Sequence, residues 1–435
     1  MRSPTHISVV SEATTSPQVT SKKNFRMNSV FSNPTVRGLS ALYAGTFFSG
    51  AWAMVLPTIP VLAREFDVSA GGAAQIVTAF AAGKFFGTII AGVLLDRMGT
   101  RVALIAGPLG ASLAALCVVW APGFFVILLL ALMMGAADSL WSIAREVAGI
   151  DLAHRSQRGR VISGLHGVHT IGAAFSPFAG GWLTETFGFE AAFVGYAVAT
   201  ALSVPLGLAA PKAIVHHAEK PNDAPRGWSP LAVVKRLRGI KDLYREIDPS
   251  LRPTYCAITF ATLVNQSQRV IVQSMLPLYA AYYLHLSPTQ IGMLFTVTGI
   301  IVFAMILPAG YLMDRVGRKW CTVPSTAIPG IVFLLIPMTG SFAQLAILAA
   351  VTGLAQGLSL GSLATSTYDV VPAHARGRLQ ALRRTIAELG SGVAPLIGGY
   401  LANAYNPGVP FLVYAPLLLL SAALLAVIGK ETLRR

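Results

Sequence analysis

At 435 residues, 54% hydrophobic and only 12% charged, the chain is long enough for several water-soluble domains but has the composition of none. Its mean hydropathy of +0.63 and recurring apolar runs, each able to cross a ~30 Å hydrocarbon core as a helix, describe a polytopic membrane protein. The net charge of +15 would suit a nucleic-acid partner, but its placement excludes one: 28 of the 33 Lys and Arg lie in alternate loops and the two termini, four in spans, and only Arg64 in the opposite loops.

That asymmetry puts both termini in the cytoplasm. Residues 1–37 are polar and Ser/Thr-rich, lack the short apolar core of a signal peptide, and read as a cytoplasmic tail. Spans then fall at about 38–62, 72–95, 102–121, 124–147, 161–186 and 190–209, giving a first bundle over 38–209. The basic segment from Arg145 to Arg160 reads as the exit loop of the fourth span.

Residues 210–252 break the apolar pattern with five prolines and nine Lys/Arg. Within this linker Trp228, Leu231, Val234, Leu237, Ile240, Leu243, Tyr244 and Ile247 recur at helical spacing, which fits an amphipathic helix on anionic lipid or one packed beneath the bundles. A second bundle over 253–429 has spans at about 254–284, 288–313, 320–338, 342–369, 377–404 and 410–429, with a cytoplasmic tail at 430–435. Cys117, Cys256 and Cys321 lie in or beside spans, lack metal-ligand spacing, and read as small buried hydrophobes.

The two bundles are copies. Gly92-Val-Leu-Leu-Asp96-Arg97-Met-Gly99-Thr100-Arg101 returns 218 positions later as Gly310-Tyr-Leu-Met-Asp314-Arg315-Val-Gly317-Arg318-Lys319. The same offset carries Asp151 onto Asp369, Pro177 onto Pro395, Gly180-Gly181 onto Gly398-Gly399 and Tyr196 onto Tyr414. The expected fold is therefore an all-α membrane protein of twelve transmembrane helices, in two six-helix bundles related by an internal repeat.

Both copies of the ten-residue stretch resemble the G-x-L-x-D-R-x-G-R-R/K signature of the major facilitator superfamily, with Thr100 where a basic residue is usual. The resemblance, closest to the twelve-helix drug:proton antiporter group, implies a secondary transporter working by alternating access. Asp96 and Asp314 end their helices, where the helix dipole disfavours a carboxylate. With Arg97, Arg101, Arg315 and Arg318 they are expected to form latches, Asp96 toward the start of the eleventh span near Gly377 and Asp314 toward the start of the fifth near Gly159. Gly172, Pro177, Gly180 and Gly181 resemble the antiporter motif G-x-x-x-G-P-x-x-G-G, with Ser176 replacing one Gly. The Arg that many such exporters carry four residues before a Gly in the fourth span is absent: Ala131 stands four before Gly135.

Charges inside spans cost about 2.5–3.5 kcal/mol each on insertion scales, so they pair or line a polar cavity. Lys84 and Arg269, with Asn265 and Gln266, are the expected substrate contacts; Glu388 is the first candidate proton carrier and Asp138 the second. His166 and His169 read as satisfied buried imidazoles rather than carriers. Four cations in spans against two acids favour an anionic or zwitterionic cargo. No phosphate-binding loop, catalytic constellation, cofactor motif or metal cluster is present in the sequence.

The reading is a monomeric, lipid-embedded transporter of a bacterial inner membrane or a membrane derived from it. It is expected to export a small organic molecule in exchange for protons and not to act as an enzyme. Alternatives are transport of an anionic metabolite, phosphate ester or iron chelate, and a non-transporting sensor or scaffold.

Overall fold

The structure is a computed structural model and describes residues 34–153, 157–209, 244–245, 247–359, 361–372 and 375–431. The first bundle comprises α1 (Pro34–Phe48, continued by the 3-10 stretch Ser49–Thr58 and Ile59–Glu65), α2 (Ala70–Met98), α3 (Thr100–Val118), α4 (Phe124–Leu152), α5 (Arg158–Phe187) and α6 (Phe189–Ala201 with Ser203–Ala209). The second comprises α7 (Arg252–Tyr283), α8 (Pro288–Arg315), α9 (Lys319–Leu335), α10 (Phe342–Ser359 with Ser362–Val370), α11 (Arg376–Ala404) and α12 (Val409–Val427). Of the expected amphipathic linker helix only the end is described, where Ile247 is buried against α7, α11 and α12 with Tyr244 packed beside it; the rest of it and most of the N-terminal tail lie outside the described residues.

Small residues decide which helices touch, because lipid offers no hydrophobic reason for helices to associate and backbone proximity must supply the attraction. A Cβ on Gly172 would collide with the Phe47 carbonyl and one on Gly180 with that of Met54, so α5 lies directly against α1. Ser176, standing where the motif has Gly, donates its hydroxyl to the Gly50 carbonyl at 2.9 Å across the same seam. Gly83, Gly87 and Gly135 bring α2 and α4 equally close. The repeat reproduces these contacts: Gly390 and Gly398 of α11 face α7, as Gly172 and Gly180 of α5 face α1.

The remaining glycine of each pair joins the halves. Gly181 abuts the Pro288 carbonyl at the start of α8, and Gly71 of α2 abuts the Gly399 carbonyl of α11. α5 and α8 stay in contact as far as Ala174 and Gly299, whereas Gly167 and Gly310, further along the same helices, have nothing within 4 Å of a Cβ position. The halves therefore meet at the end distal to the linker and part toward the linker side.

Among the described residues nine helices are long and apolar enough to cross a membrane by that test alone. The three equally long exceptions, α5, α7 and α11, carry many of the polar residues that face the space between the halves. Two expectations are corrected. Arg145 is not in a loop: α4 runs on to Leu152 and buries it. Of the cysteines only Cys321 is buried; Cys117 and Cys256 are exposed, and Cys256 Sγ lies 3.3 Å from the Tyr244 hydroxyl.

Candidate functional site

Where the halves part, a cavity of about 600 Å³ lies between α1, α2, α4 and α5 on one wall and α7 and α11 on the other. The glycine-mediated approach of α2 to α4 sets Lys84 Nζ 2.9 Å from Asp138 Oδ2, with the Asp138 side chain 10% exposed and that of Lys84 47% exposed. Lys84 Nζ also lies 5.7 Å from the centroid of the Phe80 ring, which Trp52 covers in a parallel stack at 3.6 Å. That stack gives the first wall a flat apolar surface beside a cation. His169 Nδ1 is bonded to Ser49 Oγ at 2.8 Å on the same wall, so its ring has a fixed partner there.

The second wall is more cationic. Arg383 donates to Thr262 Oγ1 at 2.8 Å and to Gln380 Oε1 at 2.9 Å, both neutral oxygens. Arg384 and, one turn on, Glu388 also line the cavity, along with Gln266, Gln273 and Ser391. Of the residues singled out from sequence, Lys84, Asp138, Gln266 and Glu388 come together here. Arg269 and Asn265 do not line the cavity: Arg269 donates to Ser359 Oγ at 2.9 Å on α10, and Asn265 to Thr326 Oγ1 at 3.1 Å on α9.

Sequence reasoning missed Gln273 and Thr262, and it missed Arg145. The Arg145 guanidinium lies 5.0 Å from the Trp141 ring centroid, and its Nη1 is buried without a hydrogen bond. The spacing of Asp138, Trp141 and Arg145 at i, i+3 and i+7 was the available signal, since it puts all three on one helix face. His166 approaches Glu146 at 3.9 Å rather than sitting buried. Among the described residues no group of three or more His, Cys, Asp or Glu could hold a metal ion.

At the linker side, Arg318 bonds Asp314 at 3.1 Å and Asp369 at 3.2 Å, and Glu431 accepts from the Arg318 and Lys319 amides at the start of α9. Asp314 is thus engaged within its own half in this conformation, and Arg315 lies over the Tyr311 ring. In the first copy Arg101 donates to the Leu208 carbonyl at 3.0 Å and Arg97 is exposed. The Asp96 side chain, and those at the start of α5 to which Asp314 was assigned, lie outside the description.

Two related bundles joined at one end, with a charged mid-membrane cavity open toward the other, define an alternating-access membrane transporter rather than an enzyme. The Major Facilitator Superfamily model matches residues 41–255 and 258–434, and the chain belongs to that family of secondary active transporters. Among its relatives, the multidrug resistance protein MdtG of Citrobacter koseri is 24% identical over 404 residues, covering 89% of this chain and 93% of the relative. MdtG of Klebsiella pneumoniae is 25% identical over 89% and 92%. Solved structures of the same fold include a peptide transporter POT (TM-score 0.74, 15% identity, 90% of this chain and 95% of that one). A D-xylose-proton symporter is another (TM-score 0.68, 15% identity, 91% and 98%).

Proposed function

We propose that the protein is a proton-coupled exporter of small organic molecules in a bacterial inner membrane, with both termini and the open mouth of the cavity facing the cytoplasm. The observation that carries this reading is the Lys84–Asp138 pair on the wall of the cavity. A coupling group must change charge during the cycle and feel the cargo when it does. Ionised Asp138 neutralises Lys84; a proton on Asp138 releases the ammonium to whatever occupies the cavity. Glu388, on the facing wall, is the second proton group.

The Trp52–Phe80 stack supplies a face for an apolar or aromatic body. The relatives named for multidrug resistance support export of such compounds. Arg383 and Arg384 favour a second reading, in which the cargo is an anionic metabolite. Purified protein in proteoliposomes with an imposed pH gradient tests the first: dye-reported proton movement must follow addition of an amphiphilic substrate. Counterflow of labelled anions, lost in Lys84→Ala and Arg384→Ala, would favour the second. In both readings the motif-loop residues Asp96 and Asp314 latch the halves when the cytoplasmic side closes, with the first bundle at 38–209, the linker at 210–252 and the second at 253–429.

A further inference from the structure

We propose that Glu185 and Asn403 hold the distal gate shut, each by capping a helix of the opposite half, and that Glu185 makes this gate responsive to acid on the distal side. The proposal requires only alternating access and is independent of the cargo and of the coupling residues.

A helix begins with N–H groups that have no partner inside it. α2 is preceded by Ser69, whose Oγ accepts from the Gly72 amide at 3.1 Å. α8 is preceded by Ser287, whose Oγ accepts from the Gln290 amide at 3.4 Å, while Gln290 Oε1 accepts from the Ser287 amide at 3.0 Å. Each serine thus serves the third residue of its helix and leaves the second, Gly71 or Thr289, to be satisfied from elsewhere. The opposite half supplies the acceptor. Gly71 N donates to Asn403 Oδ1 at 2.7 Å, from the last turn of α11. Thr289 N donates to Glu185 Oε2 at 3.1 Å, from the last turn of α5.

Ser69 and Ser287, Gly71 and Thr289, and Glu185 and Asn403 are all related by the 218-residue offset. The two caps are one contact made twice, and Gly399 and Gly181 seat the same two helix starts. Opening the distal side pulls both acceptors away and leaves two helix N-termini without these caps. The gate is therefore closed by bonds that neither half can make alone.

The copies differ in one respect. An amide oxygen accepts at every pH, whereas a carboxylate beside the positive end of α8 is the better acceptor only while ionised. The closed gate favours the ionised form, so protonation of Glu185 favours opening. Glu185 is exposed at this face and can exchange protons with it. On the elements packed around it, α8 contributes the hydroxyls of Ser287 and Thr289. Titratable residues on these elements are Glu190 at the start of α6, His285 two positions before Ser287, and Arg64 and Glu65 at the end of α1, where Arg64 lies over the Tyr282 ring.

The test uses full-length protein in nanodiscs with Cys117, Cys256 and Cys321 replaced by Ser. Spin labels are placed at Trp120→Cys and Met338→Cys, exposed turn positions on the distal ends of the two halves. Distance distributions are read from about pH 7.5 to about pH 4, which brackets a surface carboxyl. The open population is expected to grow as pH falls in the parent and in Glu190→Gln and His285→Gln. In Glu185→Gln, which keeps a neutral acceptor like Asn403, that growth is lost. Glu185→Ala raises the open-to-closed ratio about fivefold at neutral pH, the usual worth of one cap. Asn403→Asp enlarges the acid response by adding a second titrating cap. An acid response in Glu185→Gln equal to the parent's, or an unchanged distribution in Glu185→Ala, overturns the proposal. Should neither variant fold, Asn403→Asp decides, and an unaltered acid response there overturns it.

Discussion

Asp138→Asn removes the carboxylate that Lys84 holds at 2.9 Å and leaves the ammonium beside the Phe80 ring. Breaking a fully buried pair costs about 3–5 kcal/mol. A surface pair is worth about 0–1 kcal/mol. With Asp138 10% exposed and Lys84 47% exposed, this pair falls between the two limits. A coupling of about 1–2 kcal/mol, or roughly five- to thirtyfold, is expected. Thermal unfolding of Asp138→Asn, Lys84→Gln and the double variant in one detergent measures it as a double-mutant cycle. In proteoliposomes Asp138→Asn should still exchange labelled substrate across the membrane but move fewer protons with it. Proton flux at the parent's ratio to substrate in Asp138→Asn would refute the coupling role. A cycle energy below about 0.3–0.5 kcal/mol, the level at which independent sites are additive, would refute the energetic reading of the pair.

Glu388→Gln should leave substrate affinity unchanged, read by ligand-dependent thermal shift, while lowering the protons moved per substrate molecule. At the α1–α5 seam, Ser176→Ala removes one interhelical hydrogen bond and should cost about 0.6 kcal/mol, the average for such bonds in a membrane. Gly180→Ala drives a methyl into the Met54 carbonyl and should cost about 1–3 kcal/mol, so its melting temperature must fall further than that of Ser176→Ala. Asp314 is 74% exposed in its pair with Arg318, so Asp314→Asn should cost little stability. If the latch operates, the same variant slows transport and raises cysteine labelling from the linker side; unchanged values of both would remove it.

The architecture was legible because it is written twice. One Asp-Arg-Gly stretch at a fixed offset, with apolar runs between, is enough to place twelve helices, and the offset reappears in the structure as paired glycine contacts. The intramembrane charges were legible as a set but not as partners. Lys84 and Asp138 lie 54 residues apart, and only the meeting of Gly83 with α4 and of Gly135 with α2 brings them together. Arg269 and Glu388 look alike in sequence, each polar and mid-helix. One faces α10 and the other the cavity, because orientation about a helix axis is set by neighbours. The gate residues were invisible for a different reason. Glu185 and Asn403 are ordinary polar residues at helix ends, and their use depends on which amide a serine in the other half has left unpaired.

Ten residues of α1, Ser49–Thr58, are wound as a 3-10 helix. At three residues per turn side chains three apart stand in a single file, and Ser49, Trp52, Val55 and Thr58 form one. The first holds His169, the second covers Phe80, and the other two are buried. An α-helix advances about 100° per residue instead of about 120°, so rewinding would turn this file by about 20° per residue. Thr58 would finish roughly half a turn from the Ser49 side, and the segment would shorten from about 20 Å to about 15 Å. The pitch of this one segment therefore acts as a vernier, fixing at once where the aromatic plate stands in the cavity and which α1 carbonyls the α5 glycines meet.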